Sequence, residues 1–167
     1  MSMDLDLDHE PLPEGVTRIL EAGSKAPDFE FILTSEQRLS LLSLLKRTHV
    51  LLNFIKGTWC PFCQQHMSQL RNWQKKLEGS YNTTILVLSN EPSEILRAWA
   101  KDNKVIYLLG SVQNSAEVFK KYGVSVGAEP FARPAVFLID PLSNIRMAFD
   151  GTRGKELQAQ CLKCGVL

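Results

Sequence analysis

Val50-Leu51-Leu52-Asn53-Phe54-Ile55-Lys56-Gly57-Thr58-Trp59-Cys60-Pro61-Phe62-Cys63 passes from a strand pattern to a helix start. The apolar run Val50 to Ile55 has strand length and β-branched ends, as expected of a central parallel strand covered on both faces. Pro61 suits a first helical turn, where its missing N–H costs nothing and its fixed φ is already helical. Beyond it Cys63, Met67, Leu70 and Leu77 recur at helical spacing, with Trp73 beside them. This places Cys63 on the core side of the helix. Cys60 is expected to stand exposed at its N-terminus, where unpaired amide N–H groups and the helix dipole favour a thiolate. Its pKa is therefore expected below the free-thiol value of about 8.5. Two cysteines so spaced can open and close a disulfide with little backbone movement.

Working outward, Phe29 to Leu33 and Arg38 to Ser40 read as a β-hairpin around the polar turn Thr34 to Gln37, followed by a short leucine-rich helix over Leu41 to Lys46. Downstream, strands are expected at Thr83 to Leu88, Val105 to Leu109, Ala135 to Ile139 and Ile145 to Phe149. Helices are expected at Ser93 to Asp102, burying Ile95, Leu96 and Trp99, at Ser115 to Tyr122 with Gly123 closing it, and from Lys155 to Cys164. Val124 to Arg133 reads as a loop. Helices alternating with parallel strands, and a closing antiparallel hairpin, belong to the α/β class.

The 167 residues, 44% of them hydrophobic, suffice for one well-packed domain. It is expected from residue 23 to the end, behind an arm of residues 1–22 that carries Pro11, Pro13 and Gly15. Nineteen basic against eighteen acidic side chains give a net charge of +1, which argues against nucleic acid and anionic membranes as partners. The acidic N-terminus lacks the cationic start and apolar run of a secretory signal, and no run is long enough to span a bilayer, so a cytoplasmic location is expected. All four cysteines fall in two C-x-x-C pairs, Cys60 with Cys63 and Cys161 with Cys164. In a reducing compartment such pairs point to catalysis or metal binding.

With a strand, a C-x-x-C, a helix and, far downstream, Pro134 directly before Ala135 to Ile139, the chain resembles the thioredoxin superfamily from about Gly23 to its end. The resemblance implies a thioredoxin-like fold, a central mixed sheet flanked by helices, here with the N-terminal hairpin as an extension. It also implies that Pro134 is a cis-proline whose loop presents backbone to substrate beside the dithiol.

Gly23 to Phe29, Asn53-Phe54, Thr58 to Pro61, Tyr122 to Val124 and Phe137 to Asp140 are similar to the TlpA/ResA type of thiol-disulfide oxidoreductase. The same words occur in the peroxiredoxin-like branch of the AhpC/TSA group, whose length Phe54 to Cys63 matches. A peroxidase needs a threonine hydroxyl and an arginine to orient the peroxide oxygens and stabilise the displaced one. In peroxiredoxins the threonine stands three residues before the cysteine; here that position is Gly57, and the threonine is Thr58. Pro134 occupies the usual place of the arginine, with Arg133 displaced by one. Both departures favour disulfide exchange, Cys60 attacking and Cys63 resolving.

The expected substrate-side residues are Trp59, Pro61, Phe62, Arg133 and Pro134. No cofactor is expected beyond the redox-active disulfide Cys60–Cys63. The expected partners are a protein or small-molecule disulfide and an upstream thiol reductant. A thiol peroxidase using the same Cys60 is the alternative enzyme. A redox-sensing or zinc-binding module is the alternative without turnover, His66 joining Cys60 and Cys63 with Cys161 and Cys164 completing the site; against it, ligand pairs normally lie on converging turns, so no metal site is expected. His66 reads as an exposed helix residue, and Lys56 as a solvated loop lysine. Asn53 stands where thioredoxins hold a buried aspartate and cannot titrate, so Cys63 must lose its proton to water or another group.

Overall fold

The computed structural model describes residues 18–151. Most of the expected arm, and all of the helix expected over Lys155 to Cys164 with its two cysteines, lie outside them. No helix among the described residues is long and apolar enough to cross a membrane.

The chain runs β1 (Glu30–Leu33), β2 (Arg38–Ser40), α1 (Leu41–Leu45), β3 (His49–Phe54), α2 (Pro61–Ser80), β4 (Thr83–Ser89), α3 (Ser93–Asp102), β5 (Leu108–Val112), α4 (Ser115–Tyr122), β6 (Ala135–Ile139) and β7 (Ile145–Asp150). One mixed sheet of seven strands results, in the order β2-β1-β5-β4-β3-β6-β7. β3, β4 and β5 are parallel neighbours, and β6 pairs antiparallel with β3. The N-terminal hairpin continues the sheet, because β1 also pairs with β5. This is the thioredoxin-like architecture that the motif order implied.

The two-residue period of β3 divides the core. Val50, Leu52 and Phe54 point to the α1 and α4 side, where the Phe54 ring meets Phe119, Tyr122 and Phe137 edge-on at 5.6, 5.2 and 6.1 Å. On the other side Ile55 packs with Cys60, Phe62, Cys63, Met67 and Leu70 of the α2 region, Leu96 of α3, and Ile85, Val87 and Leu109 of the sheet. The dithiol is thus built into the second core.

Two expectations are corrected. β5 begins three residues later than Val105, because Val105 donates its N–H to Ala100 and closes α3. Gly110 and Ser111, which lie beyond the expected strand, belong to β5: a Cβ at Gly110 would stand 2.8 Å from the Ile32 carbonyl oxygen, so only glycine lets β1 pair this closely. Ile95 is 52% exposed, because α3 turns Leu96 and not its neighbour toward the sheet.

Candidate active site

β3 and β4 are parallel and end at the same edge of the sheet, and the loop from Ile55 to Trp59 leads from that edge into α2. Cys60 is the N-cap of α2, in extended conformation (φ −84°, ψ 119°), with Pro61 in the first helical turn. The Cys60 carbonyl accepts the Gln64 N–H at 2.9 Å and its own N–H reaches the Gly57 carbonyl at 3.2 Å, which holds the motif in a tight turn. The two sulfurs are not joined in a disulfide.

Cys60 is fully buried, not exposed as its terminal position implied. Ending a helix does not by itself bring a side chain to solvent, and here the second core closes over the cap. Cys63 is buried as expected, and its sulfur accepts the Lys56 N–H at 3.3 Å. The two cysteines are hydrogen-bonded to each other. That bond, then burial and the charge of Cys60, push the Cys63 thiol far above the ordinary thiol range, while the N–H groups of Lys56 and Gly57 pull the other way. With the pair reduced, Cys63 keeps its proton and serves Cys60 as a hydrogen-bond partner.

Trp59 is half-exposed beside the dithiol, whereas Lys56 is buried, not solvated. Its ammonium lies 5.1 Å from the centre of a Trp59 ring and 4.6 Å from that of Phe131, so two aromatic faces take the place of water. Phe131, from the loop after α4, meets Trp59 edge-on at 6.0 Å. Gly57 leaves room for this arrangement: a Cβ there would fall 2.2 Å from the Trp59 indole nitrogen. Gly57→Ala is expected to swing the indole outward and off Lys56, at a stability cost of about 0.5–2 kcal/mol. A red shift of tryptophan emission together with a lowered urea midpoint is the result that checks it.

Thr58 donates its N–H and its hydroxyl to the two carboxylate oxygens of Glu91, each at 2.8 Å. The Ser89 hydroxyl donates to the same carboxylate at 3.0 Å, and the Gln64 amide reaches the Thr58 carbonyl at 2.7 Å. The Thr58 hydroxyl hydrogen is therefore spent on Glu91. Sequence reasoning missed Glu91, which carries no motif and reaches the loop only because β4 ends beside β3.

Arg133 and Pro134 require correction. Arg133 is 1% exposed, and its guanidinium pairs with the buried Asp150 carboxylate at 3.3 Å while donating to the Gly123 carbonyl at 3.0 Å. The pair is buried beneath the β6–β7 hairpin, so Arg133 presents no exposed surface to a substrate. No peptide bond among the described residues is cis, so Pro134 is a trans-proline. The Arg133 N–H bonds the Val124 carbonyl and the Gly151 N–H bonds the Pro134 carbonyl, both at 2.9 Å, and these hold the strand start extended in the isomer that X–Pro bonds prefer. Pro134 still borders a small cavity with Phe62 and Cys63, so the structure does bring the downstream loop to the dithiol.

His66 is also corrected. It is half-buried, and its Nε2 lies 2.8 Å from the Asn53 side-chain oxygen. Burial holds its pKa below the ordinary imidazole value. Asn53 is fully buried, with its amide nitrogen donating to the Leu51 and Leu86 carbonyls at 2.9 and 3.3 Å. The 3.6-residue period does put His66 on the face of Cys63, but the polar partner on β3 that draws the ring inward is visible only in three dimensions.

The model of the AhpC/TSA family matches residues 22–148. Alkyl hydroperoxide reductase E of Mycobacterium tuberculosis is 27% identical over 131 residues, 78% of this chain and 85% of that protein. Among solved structures, the peroxidoxin BcpB of Mycobacterium tuberculosis superposes with a TM-score of 0.73 at 20% identity, covering 87% of this chain and 94% of that one. A putative protein disulfide isomerase of Bacteroides thetaiotaomicron gives a TM-score of 0.67 at 26% identity, covering 89% and 90%.

Proposed function

Because this chain belongs to the AhpC/TSA family, we propose that it is a thiol-disulfide oxidoreductase that works through Cys60 and Cys63 without a bound cofactor. The Cys60 thiolate attacks one sulfur of a protein or small-molecule disulfide; that S–S bond breaks, one half leaves as a thiolate, and the other stays on Cys60 as a mixed disulfide. Cys63 then attacks the Cys60 sulfur, the second half leaves, and the substrate has gained the two electrons that the dithiol lost. An upstream thiol reductant restores the pair. Trp59 and Phe62 flank the sulfurs, Trp59 as the exposed platform. Since Cys60 has no exposed surface, the atoms that cover it must shift before a substrate sulfur can reach it.

The single observation that carries the reading is two thiols one helical turn apart at the start of α2, Cys60 as its N-cap and Cys63 behind it in the core, which makes Cys60 the attacking thiol and Cys63 the resolving one. Helix-terminal N–H groups favour the same choice.

Thiol peroxidation is the second reading, favoured by the names of the mycobacterial relatives. On this reading the Cys60 thiolate attacks one peroxide oxygen, an alcohol or water leaves, and Cys63 condenses with the sulfenic acid. Against it, the Thr58 hydroxyl hydrogen goes to Glu91, and the Arg133 guanidinium is buried against Asp150. Reduction of insulin disulfides by the reduced protein and stopped-flow oxidation of Cys60 by hydrogen peroxide separate the readings. Insulin reduction, with peroxide oxidation at the rate of an ordinary thiolate, is expected. Peroxide oxidation several orders of magnitude faster, with no insulin reduction, would establish the peroxidase instead. Absence of both turnovers would leave the sensing module.

A further inference from the structure

Cys63 must surrender its proton before it can resolve a mixed disulfide, and the strand residue beneath it, Asn53, has none to exchange. The requirement sharpens once Cys60 is bonded to substrate: its charge no longer raises the Cys63 pKa, the Lys56 N–H still faces the Cys63 sulfur at 3.3 Å, and an acceptor is needed for one proton.

A small, partly open cavity of about 30 Å³ lies beside Cys63, lined otherwise by Phe54, Phe62, Pro134, Val136 and Phe149 among apolar neighbours. Its two ionisable linings among the described residues are Cys63 and His66. The volume suffices for one bridging water, which would find two polar partners there. His66 also lines an open groove of about 730 Å³ between α2 and strands β3, β6 and β7. It therefore stands between the buried thiol and solvent. The Asn53 amide fixes which ring nitrogen is basic. Both of its nitrogen bonds go to carbonyls, so its oxygen must accept, and the His66 Nε2 must carry a hydrogen. Nδ1 is left with the lone pair.

We propose that His66 is the proton acceptor for Cys63 during resolution, with Asn53 as the positioning residue that keeps Nδ1 basic. The inference rests on the reading of Cys60 and Cys63 as an exchanging pair. In the step, the Cys63 S–H bond breaks and its proton passes through the cavity to Nδ1. The new thiolate forms the S–S bond with Cys60, and the departing substrate thiolate takes up the proton that His66 releases to the groove. The groups facing His66 are Cys63 in the small cavity, and His49 of β3, Lys76 of α2 and Tyr81 after it in the groove; β4, β6 and β7 contribute Thr83, Leu138, Met147 and Phe149, which do not titrate in this range.

The test mixes the reduced full chain, carrying Cys161→Ser and Cys164→Ser, with one equivalent of dithiobis-nitrobenzoate in stopped flow. A first release of thionitrobenzoate reports attack by Cys60, and a second reports resolution by Cys63. Below its pKa His66 is already protonated and cannot accept, so the second phase is expected to slow as pH falls through an inflection under the ordinary imidazole value of about 6.5. His66→Gln is expected to slow the second phase by about 100-fold and to erase the inflection, with the first phase unchanged. His49→Gln should leave both phases and the inflection as they are. A second phase in His66→Gln with native rate and pH profile overturns the proposal. So does a His66 midpoint, measured by NMR in the protein with its native histidines, that departs from the kinetic inflection, a comparison that needs no variant to fold. A second phase missing from the parent chain, or persisting in Cys63→Ser, overturns the exchange reading itself and is distinct from either result.

Discussion

Cys60→Ser is expected to abolish insulin-disulfide reduction, while Cys63→Ser performs one attack and stops with substrate bound through Cys60. The asymmetry follows from the site. Cys60 holds the N-terminal position of α2 and receives the Cys63 thiol as a hydrogen-bond partner, so losing Cys60 removes the nucleophile. Losing Cys63 removes only the thiol that expels the second half of the substrate. Mass spectrometry of Cys63→Ser after exposure to a disulfide should show one stable adduct at Cys60, released by added thiol. Turnover retained by Cys60→Ser would exclude the assignment.

Arg133→Ala is expected to destabilise the fold by about 3–5 kcal/mol, because it strands the Asp150 carboxylate in the interior without its guanidinium. The two side chains are 1% and 6% exposed. They tie the start of β6 to the end of β7, the two positions that flank the cavity lined by Pro134 and Gly151. Replacing both partners by apolar residues, as in Arg133→Met with Asp150→Leu, should recover much of the loss, since no charge is then left buried. Urea unfolding of the single and double variants measures both numbers. A single-variant loss below about 1 kcal/mol would mean that water reaches the carboxylate as readily as Arg133 does.

Local rules made the elements legible. An uninterrupted apolar run for β3, helical spacing after Pro61 and a glycine after Tyr122 each depend on residues within a turn or two of one another, so they can be read from the chain. β5 was displaced because its boundary is set by contacts from α3 and β1, which no window around Val105 contains. The same division runs through the site. The identity of the dithiol and the core-facing position of Cys63 follow from sequence alone, because helix periodicity and the cap position dictate them. What closes over Cys60, where the Arg133 charge is neutralised, which ring partners hold Lys56, and that Asn53 draws His66 inward were decided only by tertiary structure. Each of these pairs groups from elements far apart in the chain, such as Arg133 with Asp150 across a hairpin or Thr58 with Glu91 across parallel strands. A buried charge or polar atom must find its partner wherever the fold supplies one, and nothing in the spacing of residues says where that will be.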